Sequence, residues 1–262
     1  QAPGRGRKHP PARDIGQLCP VEDRYASGYA QAVNITALIP ARGGSKRVPQ
    51  KNLKPLGGRP LVEWTIAAAL AATGISEVIV STDDEDIAAI ARQAGASVPW
   101  LRPPHLAADH SSIADVLAHF LDWCETDRSL PDGIMVLQPT SPFRRPALLD
   151  AAIDLYTGSG GSRSVIGVSD AGHSHPAWAF ALQGEVIAPL NPAGLGHRSQ
   201  ELEKIFYVNG YVYLVSPAQI RDGGSLFSAS CDPLIIEDRR EALDIDTEWD
   251  WQLAEFLASR SA

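Results

Sequence analysis

Cysteine and long apolar runs are scarce in this sequence, and each absence excludes a class of protein. The 262 residues include only three cysteines, Cys19, Cys124 and Cys231, and none belongs to a C-x-x-C pair. A disulfide framework is therefore not expected, and the thiols fit a reduced, cytoplasmic protein. No run of about 18 apolar residues is present, so a transmembrane helix is not expected. The N-terminal residues also lack the continuous apolar core of a secretory signal.

An excess of positive charge is absent as well. Lysine and arginine together number 23 against 31 aspartates and glutamates, which gives a net charge of −8. Proteins that bind the phosphate backbone of nucleic acids usually present a basic surface, so neither DNA nor RNA is an expected partner. A small anionic ligand remains compatible with this composition, because a local group of lysines and arginines can bind it.

Three common catalytic or nucleotide-binding motifs are also missing. The sequence contains no Walker G-x-x-x-x-G-K-[ST], no dinucleotide G-x-G-x-x-G and no G-x-S-x-G nucleophile elbow. These absences argue against a P-loop nucleotidase, a dinucleotide-binding dehydrogenase and an α/β-hydrolase.

Residues 1–33 differ in character from residues 34–262. The first segment contains several prolines and glycines and a basic cluster at Arg5, Arg7 and Lys8, without an apolar period. We predict an N-terminal extension that is flexible or lies on the surface, followed by one domain.

Within that domain, short apolar runs alternate with helical patterns. Strands are predicted at 35–39, 78–80, 96–101 and 134–137, and helices at 61–73, 84–93, 111–124 and 146–156. Continuous apolar strands in this alternation are typical of a mostly parallel sheet with helices on both faces. The predicted fold class is therefore α/β.

The pattern changes after the glycine- and serine-rich residues 158–162. Further strands are predicted at 164–168, 178–182, 186–190, 205–216 and 234–237, and a closing helix at 247–259. Gly184 lies between two of these strands and predicts a hairpin. We interpret residues 170–205 as a small lobe inserted into the main sheet.

The segment Pro40 to Asn52, called the basic loop below, follows the first strand. It contains two adjacent glycines, Gly43 and Gly44, and four cations, Arg42, Lys46, Arg47 and Lys51. Open α/β sheets bind ligands at the carboxyl ends of their strands, and glycines allow a backbone to approach a ligand closely. Exposed N–H groups and cations together suit a triphosphate. The same residue types are also compatible with a solvated basic loop.

Asp244 and Asp246 stand two residues apart near the C-terminus. In an extended segment they would present two carboxylates on one face, a repulsive arrangement unless a cation neutralises it. Hard oxygen ligands of this kind suit Mg²⁺ bound together with substrate phosphates. Capping of the last helix by Asp246 or Thr247 explains the same residues, and both interpretations can hold together.

A third segment, Gln138 to Arg144, follows the strand predicted at 134–137 and contains two prolines that favour a rigid turn. Its Gln138 can bind a sugar hydroxyl or a base, although a purely structural turn accounts for the segment equally well.

Six segments, in this order, together resemble the acylneuraminate cytidylyltransferases, or CMP-sialic acid synthetases, including members that activate legionaminate or pseudaminate. They are P-A-R-G-G-S-K-x-x-P-x-K-N (Pro40 to Asn52), V-S-T-D (Val80 to Asp83), L-R-P (Leu101 to Pro103), Q-P-T-S-P-F-R (Gln138 to Arg144), N-G-x-x-Y (Asn209 to Tyr213) and D-I-D-T-E (Asp244 to Glu248). The resemblance spans residues 35–258.

The resemblance implies a Rossmann-like nucleotidyltransferase fold and a homodimer in which the inserted lobe of each subunit reaches towards the partner's active site. It implies an enzyme that joins CMP from CTP to the anomeric hydroxyl of an acidic nine-carbon sugar, with release of pyrophosphate. Mg²⁺ is the implied cofactor, as one ion or two. Neither nucleic acid nor a membrane is an implied partner.

The resemblance also implies roles for individual residues. Catalytic roles fall to Lys51, Arg42 and Asp246. Nucleotide binding falls to Arg42, Gly43, Gly44, Ser45, Lys46, Lys51, Asn52, Asp83, Arg102, Ser111 and Ser112. Substrate binding falls to Gln138, Arg198, Asn209 and Tyr213, and metal binding to Asp244 and Asp246.

Two positions depart from the family pattern. Arg47 stands where many members have glycine, and Trp178 stands where several sialate-specific members have a sugar-binding lysine. The second departure favours legionaminate, pseudaminate or a deaminated nonulosonate over N-acetylneuraminate. The eight-carbon sugar Kdo as acceptor, GTP as donor, and a non-catalytic sensor of sugar nucleotides remain alternatives.

Overall fold

A computed structural model of the chain describes residues 33–108, 111–223, 225–228 and 230–260, without the side chain of Asp127. The N-terminal extension predicted for residues 1–33 lies outside this part, apart from its last residue. None of the described helices is both long enough and apolar enough to cross a membrane.

A six-stranded sheet forms the centre of the domain. Its strands are β1 (Ile35–Pro40), β4 (Glu77–Ser81), β5 (Gly133–Val136), β6 (Val165–Asp170), β9 (Phe206–Val215) and β10 (Asp232–Ile235). They lie in the order β10-β6-β9-β5-β1-β4, and only β9 runs antiparallel to its neighbours. The prediction of a mostly parallel sheet is thus confirmed.

Helices cover both faces of this sheet, as predicted. They are α1 (Leu61–Ala71), α2 (Glu85–Gln93), α3 (Ile113–Asp127), α4 (Pro146–Gly158), α5 (Pro217–Gly223) and α6 (Glu248–Ser259). Alternate side chains of β1 point to opposite faces. Ile35 and Ile39 pack in a buried cluster with α1, α2 and α4, whereas Leu38 packs in a second cluster with α3 and α5. Burial on both faces explains the continuous apolar sequence of β1.

The strand predicted at 96–101 is not formed as such. The structure has only two isolated parallel bridges there, which join Ile79 to Ser97 and Thr82 to Leu101. Pro99 lies between the bridges and has no N–H to donate, so a continuous ladder cannot form. The predicted loop before α1 contains a short hairpin of β2 (Pro55–Leu56) and β3 (Arg59–Pro60).

A second hairpin lies outside the main sheet, within the predicted lobe. Its strands are β7 (Phe180–Gln183) and β8 (Val186–Pro189), and the turn contains Gly184 at a positive φ of 66°. The hairpin prediction at Gly184 is therefore confirmed. Large apolar side chains of this region are exposed, with Leu182 at 75% and Ile187 at 64%.

Candidate active site

A cleft of about 630 Å³ lies beyond the carboxyl ends of β1 and β5. Among the predicted site residues, its lining includes Arg42, Ser45, Lys46, Lys51, Asn52, Arg102, Ser111, Ser112, Gln138, Asp244 and Asp246. The basic loop and the two aspartates meet there, because the Lys51 ammonium nitrogen lies 3.7 Å from Oδ1 of Asp246. The volume is that of a typical small-molecule site.

The residues after β4 hold the backbone of the basic loop. The N–H of Gly43 donates to Oδ1 of Asp83 at 3.0 Å. A Cβ on Gly43 would lie 2.6 Å from Oδ2 of Asp84. Asp84 is fixed in turn, since its Oδ1 accepts from the first N–H groups of α2 as the N-cap. Gly43 is therefore required for a close backbone approach, and Asp83 supports the loop from outside the cleft.

Lys51 links the basic loop to residues Asp244 to Asp246, called the acidic segment below. Its Nζ donates to the carbonyl of Ile245 at 2.6 Å, a contact between residues 194 positions apart. Asn52 is buried and its side chain donates to the carbonyl of Arg42 at 2.9 Å, which closes the loop. Burial lowers the pKa of Lys51, and the nearby carboxylates of Asp246 and Asp244 oppose that shift. The ammonium is thus held in place, largely shielded from solvent.

The two aspartates have different surroundings. Oδ1 of Asp244 is buried without a hydrogen-bond partner. Burial raises the pKa of Asp244, and the Thr140 hydroxyl beside it opposes this rise. Asp246 is half exposed, and its Oδ2 lies 3.0 Å from Nη1 of Arg47. Between them, the N–H of Ile245 donates to the carbonyl of Thr140 at 2.8 Å, which anchors the segment to the loop after β5.

Capping of α6 does not use the Asp246 carboxylate. Thr247 is the N-cap, and its hydroxyl accepts from the N–H of Asp250 in a capping box. The Asp250 carboxylate accepts from the N–H groups of Asp246 and Thr247. The Asp246 carboxylate is therefore left to face the basic loop.

The donor set of the cleft fits Mg²⁺ better than a metal held by protein ligands alone. Within the described part of the chain, no group of three or more His, Cys, Asp or Glu side chains could hold a metal ion. Two carboxylates, one with an unpartnered buried oxygen, match Mg²⁺, which keeps several waters and binds substrate phosphates. Zinc would need three or four protein ligands.

Arg102, Ser111 and Ser112 line the far side of the cleft, between β4 and α3. Arg102 is buried and its guanidinium donates to the side chain of Ser81 at 3.0 Å and to the Ser81 carbonyl. Burial lowers the pKa of Arg102 to about 10. The Ser111 hydroxyl donates to the carbonyl of His105 at 2.7 Å, and Ser112 is the N-cap of α3.

The sequence did not reveal the structural role of Arg144, the last residue of the segment that begins at Gln138. This buried guanidinium donates to the carbonyls of Gln138, Ser141, Gly210 and Tyr211 and to the hydroxyl of Thr65. It thereby fixes the loop of Gln138 against β9 and α1. The motif position was the only signal in the sequence, because the acceptors are mostly backbone carbonyls, which carry no residue-specific pattern.

Besides Asp83, which is described above, five other predicted site residues do not line the cleft. Gly43 and Gly44 belong to the loop backbone. The buried Asn209 donates to the Ser169 hydroxyl at 2.9 Å and accepts from the N–H of Tyr211. Tyr213 is buried in β9, with its ring centroid 6.1 Å from that of Phe227. Arg198 is exposed on the lobe. Their predicted roles in ligand binding stay predictions.

Known proteins resemble this chain over much of its length. Residues 36–177 match a sequence family described as cytidylyltransferase. A CMP-N,N'-diacetyllegionaminic acid synthase of Legionella pneumophila is 38% identical over 227 residues, which cover 86% of this chain and 96% of that protein. An N-acylneuraminate cytidylyltransferase of Oncorhynchus mykiss is 34% identical over 227 residues, 85% of this chain and 50% of the fish protein.

One solved structure shares the fold over most of the chain. It is a CMP:2-keto-3-deoxy-manno-octonic acid synthetase complexed with CTP, with a TM-score of 0.67. The match covers 87% of this chain and 100% of that chain at 17% identity. At this identity the likeness establishes the fold alone.

Proposed function

The chain belongs to the cytidylyltransferase family, and we propose that it transfers CMP from CTP to the anomeric hydroxyl of a nonulosonic acid, with release of pyrophosphate. The observation that carries this proposal is the meeting of the basic loop and the acidic segment at Lys51 and Asp246. The names of relatives that match most of the chain support the same reaction.

We assign the two ends of CTP to separate parts of the cleft. We assign the triphosphate and ribose to the basic loop, with Arg42, Ser45, Lys46, Lys51 and Asn52 as its side chains, and the cytosine to Arg102, Ser111 and Ser112. The Ser111 hydroxyl proton is already committed to the carbonyl of His105. Its oxygen therefore has lone pairs available to accept from the amino group of cytosine.

We assign Mg²⁺ to Asp244 and Asp246, because their carboxylates share one cleft with the basic loop and Oδ1 of Asp244 is a buried oxygen without a partner. When bound, Mg²⁺ would neutralise phosphate charge and polarise the reacting phosphate, and a second ion would assist deprotonation of the sugar hydroxyl.

The protein's own contribution is to position reactants and stabilise charge. The anomeric oxygen attacks the α-phosphorus and loses its proton, while the bond between that phosphorus and the pyrophosphate oxygen breaks. Lys51, held by the carbonyl of Ile245, places a positive charge where negative charge develops on the transferring group. Arg42 lines the same cleft and adds a second cation.

We propose a di-N-acylated sugar such as legionaminate in preference to N-acetylneuraminate as the acceptor. Trp178, whose ring centroid lies 5.9 Å from that of His175, stands where several sialate-specific members have a sugar-binding lysine. The 38% identity to a legionaminic acid synthase supports the same choice. Gln138 lines the cleft and is assigned to the sugar hydroxyls, whereas Arg198 is assigned to the sugar carboxylate.

We also propose that the enzyme is a homodimer formed through the lobe. Arg198 is exposed on the lobe and does not line the cleft of its own chain, which fits a residue that acts in the partner's site. The exposed apolar side chains of the hairpin, such as Leu182 and Ile187, would be covered in such a dimer. A cytoplasmic location stays a prediction.

Pyrophosphate release tests the proposed reaction. The enzyme is supplied with Mg²⁺ and either CTP or GTP, together with legionaminate, pseudaminate, N-acetylneuraminate, a deaminated nonulosonate or Kdo. We expect release with CTP and a nonulosonate, fastest with legionaminate. Release only with Kdo or only with GTP would support those alternatives, and CTP binding without turnover would identify a sensor.

A further inference from the structure

Arg47 lies in the cleft, but the reaction proposed above gives it no role. Its Nη1 is 3.0 Å from Oδ2 of Asp246, while Nζ of Lys51 is 3.7 Å from Oδ1 of the same carboxylate. Both oxygens of one assigned metal ligand therefore face a cation. Oδ1 of Asp244, by contrast, is buried without a hydrogen-bond partner.

A guanidinium and a metal ion compete for the same carboxylate oxygen. With Arg47 at 3.0 Å, Oδ2 of Asp246 binds a divalent cation less tightly, because like charges at such a distance repel. Arg47 is nevertheless free to leave, since 68% of its side chain is exposed. Arg47 lines the cleft, where the phosphates are assigned, and two oxygens of a phosphate can accept from one guanidinium as the two oxygens of a carboxylate do.

We propose that Arg47 occupies Asp246 in the nucleotide-free enzyme and exchanges that carboxylate for a phosphate when CTP enters, so that metal and triphosphate bind cooperatively. This inference rests on the metal site of the proposed function. Before exchange, Arg47 weakens binding of free metal to Asp246. After exchange, it no longer competes, so each ligand raises the affinity for the other by the same factor.

Binding of Mn²⁺ to the nucleotide-free full chain tests the first half of the proposal. Electron paramagnetic resonance measures free Mn²⁺ in the presence of wild type, Arg47→Gln, which removes the charge, and Arg47→Lys, which keeps it. We expect roughly two- to fivefold tighter Mn²⁺ binding by Arg47→Gln, as for loss of a partly exposed ion pair, and nearly unchanged binding by Arg47→Lys. Equal affinity of wild type and Arg47→Gln would overturn the proposal.

Lys54→Gln is the matched control. Lys54 also forms an exposed ion pair in this region, 3.3 Å from Glu248, but its partner is not an assigned metal ligand. The variant removes the same net charge and should change Mn²⁺ affinity by less than about twofold. If Lys54→Gln and Arg47→Gln gained Mn²⁺ affinity equally, the gain would come from the change in net charge. That result would contradict a specific competition between Arg47 and the metal ion.

Calorimetry with CTP, without the sugar acceptor so that no turnover occurs, tests the second half. The ratio of CTP affinities with and without Mn²⁺ measures the coupling, and we expect Arg47→Gln to reduce this ratio roughly two- to fivefold. An unchanged ratio would show that Arg47 does not link the two ligands.

Asp246→Asn separates failure of this inference from failure of the proposed function. Combined with Arg47→Gln, it should abolish the gain in Mn²⁺ affinity. If Asp246→Asn changes neither Mn²⁺ binding nor turnover, the metal site of the proposed function is wrong. If it abolishes turnover while Arg47→Gln leaves Mn²⁺ binding unchanged, the metal site stands and only the exchange by Arg47 is refuted.

Discussion

At the scale of single residues, Lys51 is the side chain on which the proposed chemistry depends most. Replacing it with alanine removes the ammonium held by the Ile245 carbonyl beside Asp246. We expect kcat to fall by about 100-fold or more, as for other preorganised charge-stabilising groups, while circular dichroism and Tm stay close to wild type.

The matched control for this variant is Lys54→Ala, which loses a lysine of the same region that pairs with Glu248 outside the cleft. It should keep turnover within a few-fold of wild type. A Lys51→Ala enzyme with the kcat of wild type would refute the catalytic role.

Replacing Asp244 should raise the stability of the protein but abolish its activity. Burial raises its pKa, so the folded chain holds the proton more tightly than the unfolded chain, and the ionised carboxylate lowers stability at neutral pH. Asp244→Asn removes that charge. We expect a gain of about 1 kcal/mol in the free energy of unfolding near neutral pH and loss of turnover.

The pH dependence of this gain follows from the sign of the shift. As the pH falls through the raised pKa towards the ordinary value of 3.8, Asp244 becomes protonated and resembles asparagine, so the gain should vanish. Thermal unfolding in EDTA at several pH values measures it. A lower Tm of Asp244→Asn at neutral pH would mean that the carboxylate stabilises the fold.

At the scale of elements, Arg144 connects three parts of the fold. Its five hydrogen bonds join the loop after β5, the strand β9 and the helix α1, and the side chain is 6% exposed. Arg144→Met would leave several buried acceptors without a donor. We expect a loss of about 3 kcal/mol or more in stability by urea unfolding.

Arg163→Met provides the comparison for this loss, because Arg163 forms an exposed ion pair with Asp232. Its effect on the free energy of unfolding should be far smaller than that of Arg144→Met, because solvent screens an exposed ion pair. Similar losses in the two variants would contradict a connecting role for Arg144.

Elements could be predicted where burial alone decides the pattern. Apart from the buried Thr36, β1 and β5 are apolar because both faces of the sheet are covered. A local signal marks α2, which begins at a capping aspartate. The prediction at 96–101 was wrong because apolar content outweighed Pro99, whose missing N–H restricts the segment to isolated bridges. The hairpin of β2 and β3 has two-residue strands, too short for any periodicity.

The site could be predicted as a set of segments but not as a set of contacts. The position of the basic loop after β1 follows from the alternation of strands and helices. The pairing of Arg47 with Asp246, and of Lys51 with Ile245, joins opposite ends of the chain and depends on how the loop folds back. No spacing in the sequence specifies such contacts.

At the scale of the whole molecule, the lobe raises the question of whether one chain can form a complete site. Arg198 begins a short turn on the lobe, with its N–H bonded to Glu201 at 3.0 Å, and its side chain is exposed. The cleft of the same chain contains Lys51 and both aspartates but not Arg198. The proposed dimer would supply Arg198 from the partner subunit.

Mixing two inactive variants tests this arrangement. In a heterodimer of Lys51→Ala and Arg198→Ala, one site carries both substitutions and the other carries neither, provided that Arg198 acts across the interface. Random exchange of subunits makes half of all dimers heterodimers, so turnover should recover to about a quarter of wild type, as twofold symmetry requires. If Arg198 acts within its own chain, every site keeps one defect and no recovery occurs. Each variant alone, at the same total concentration, is the control. Recovery of turnover only after a step that lets subunits exchange would establish that the shared site belongs to the dimer.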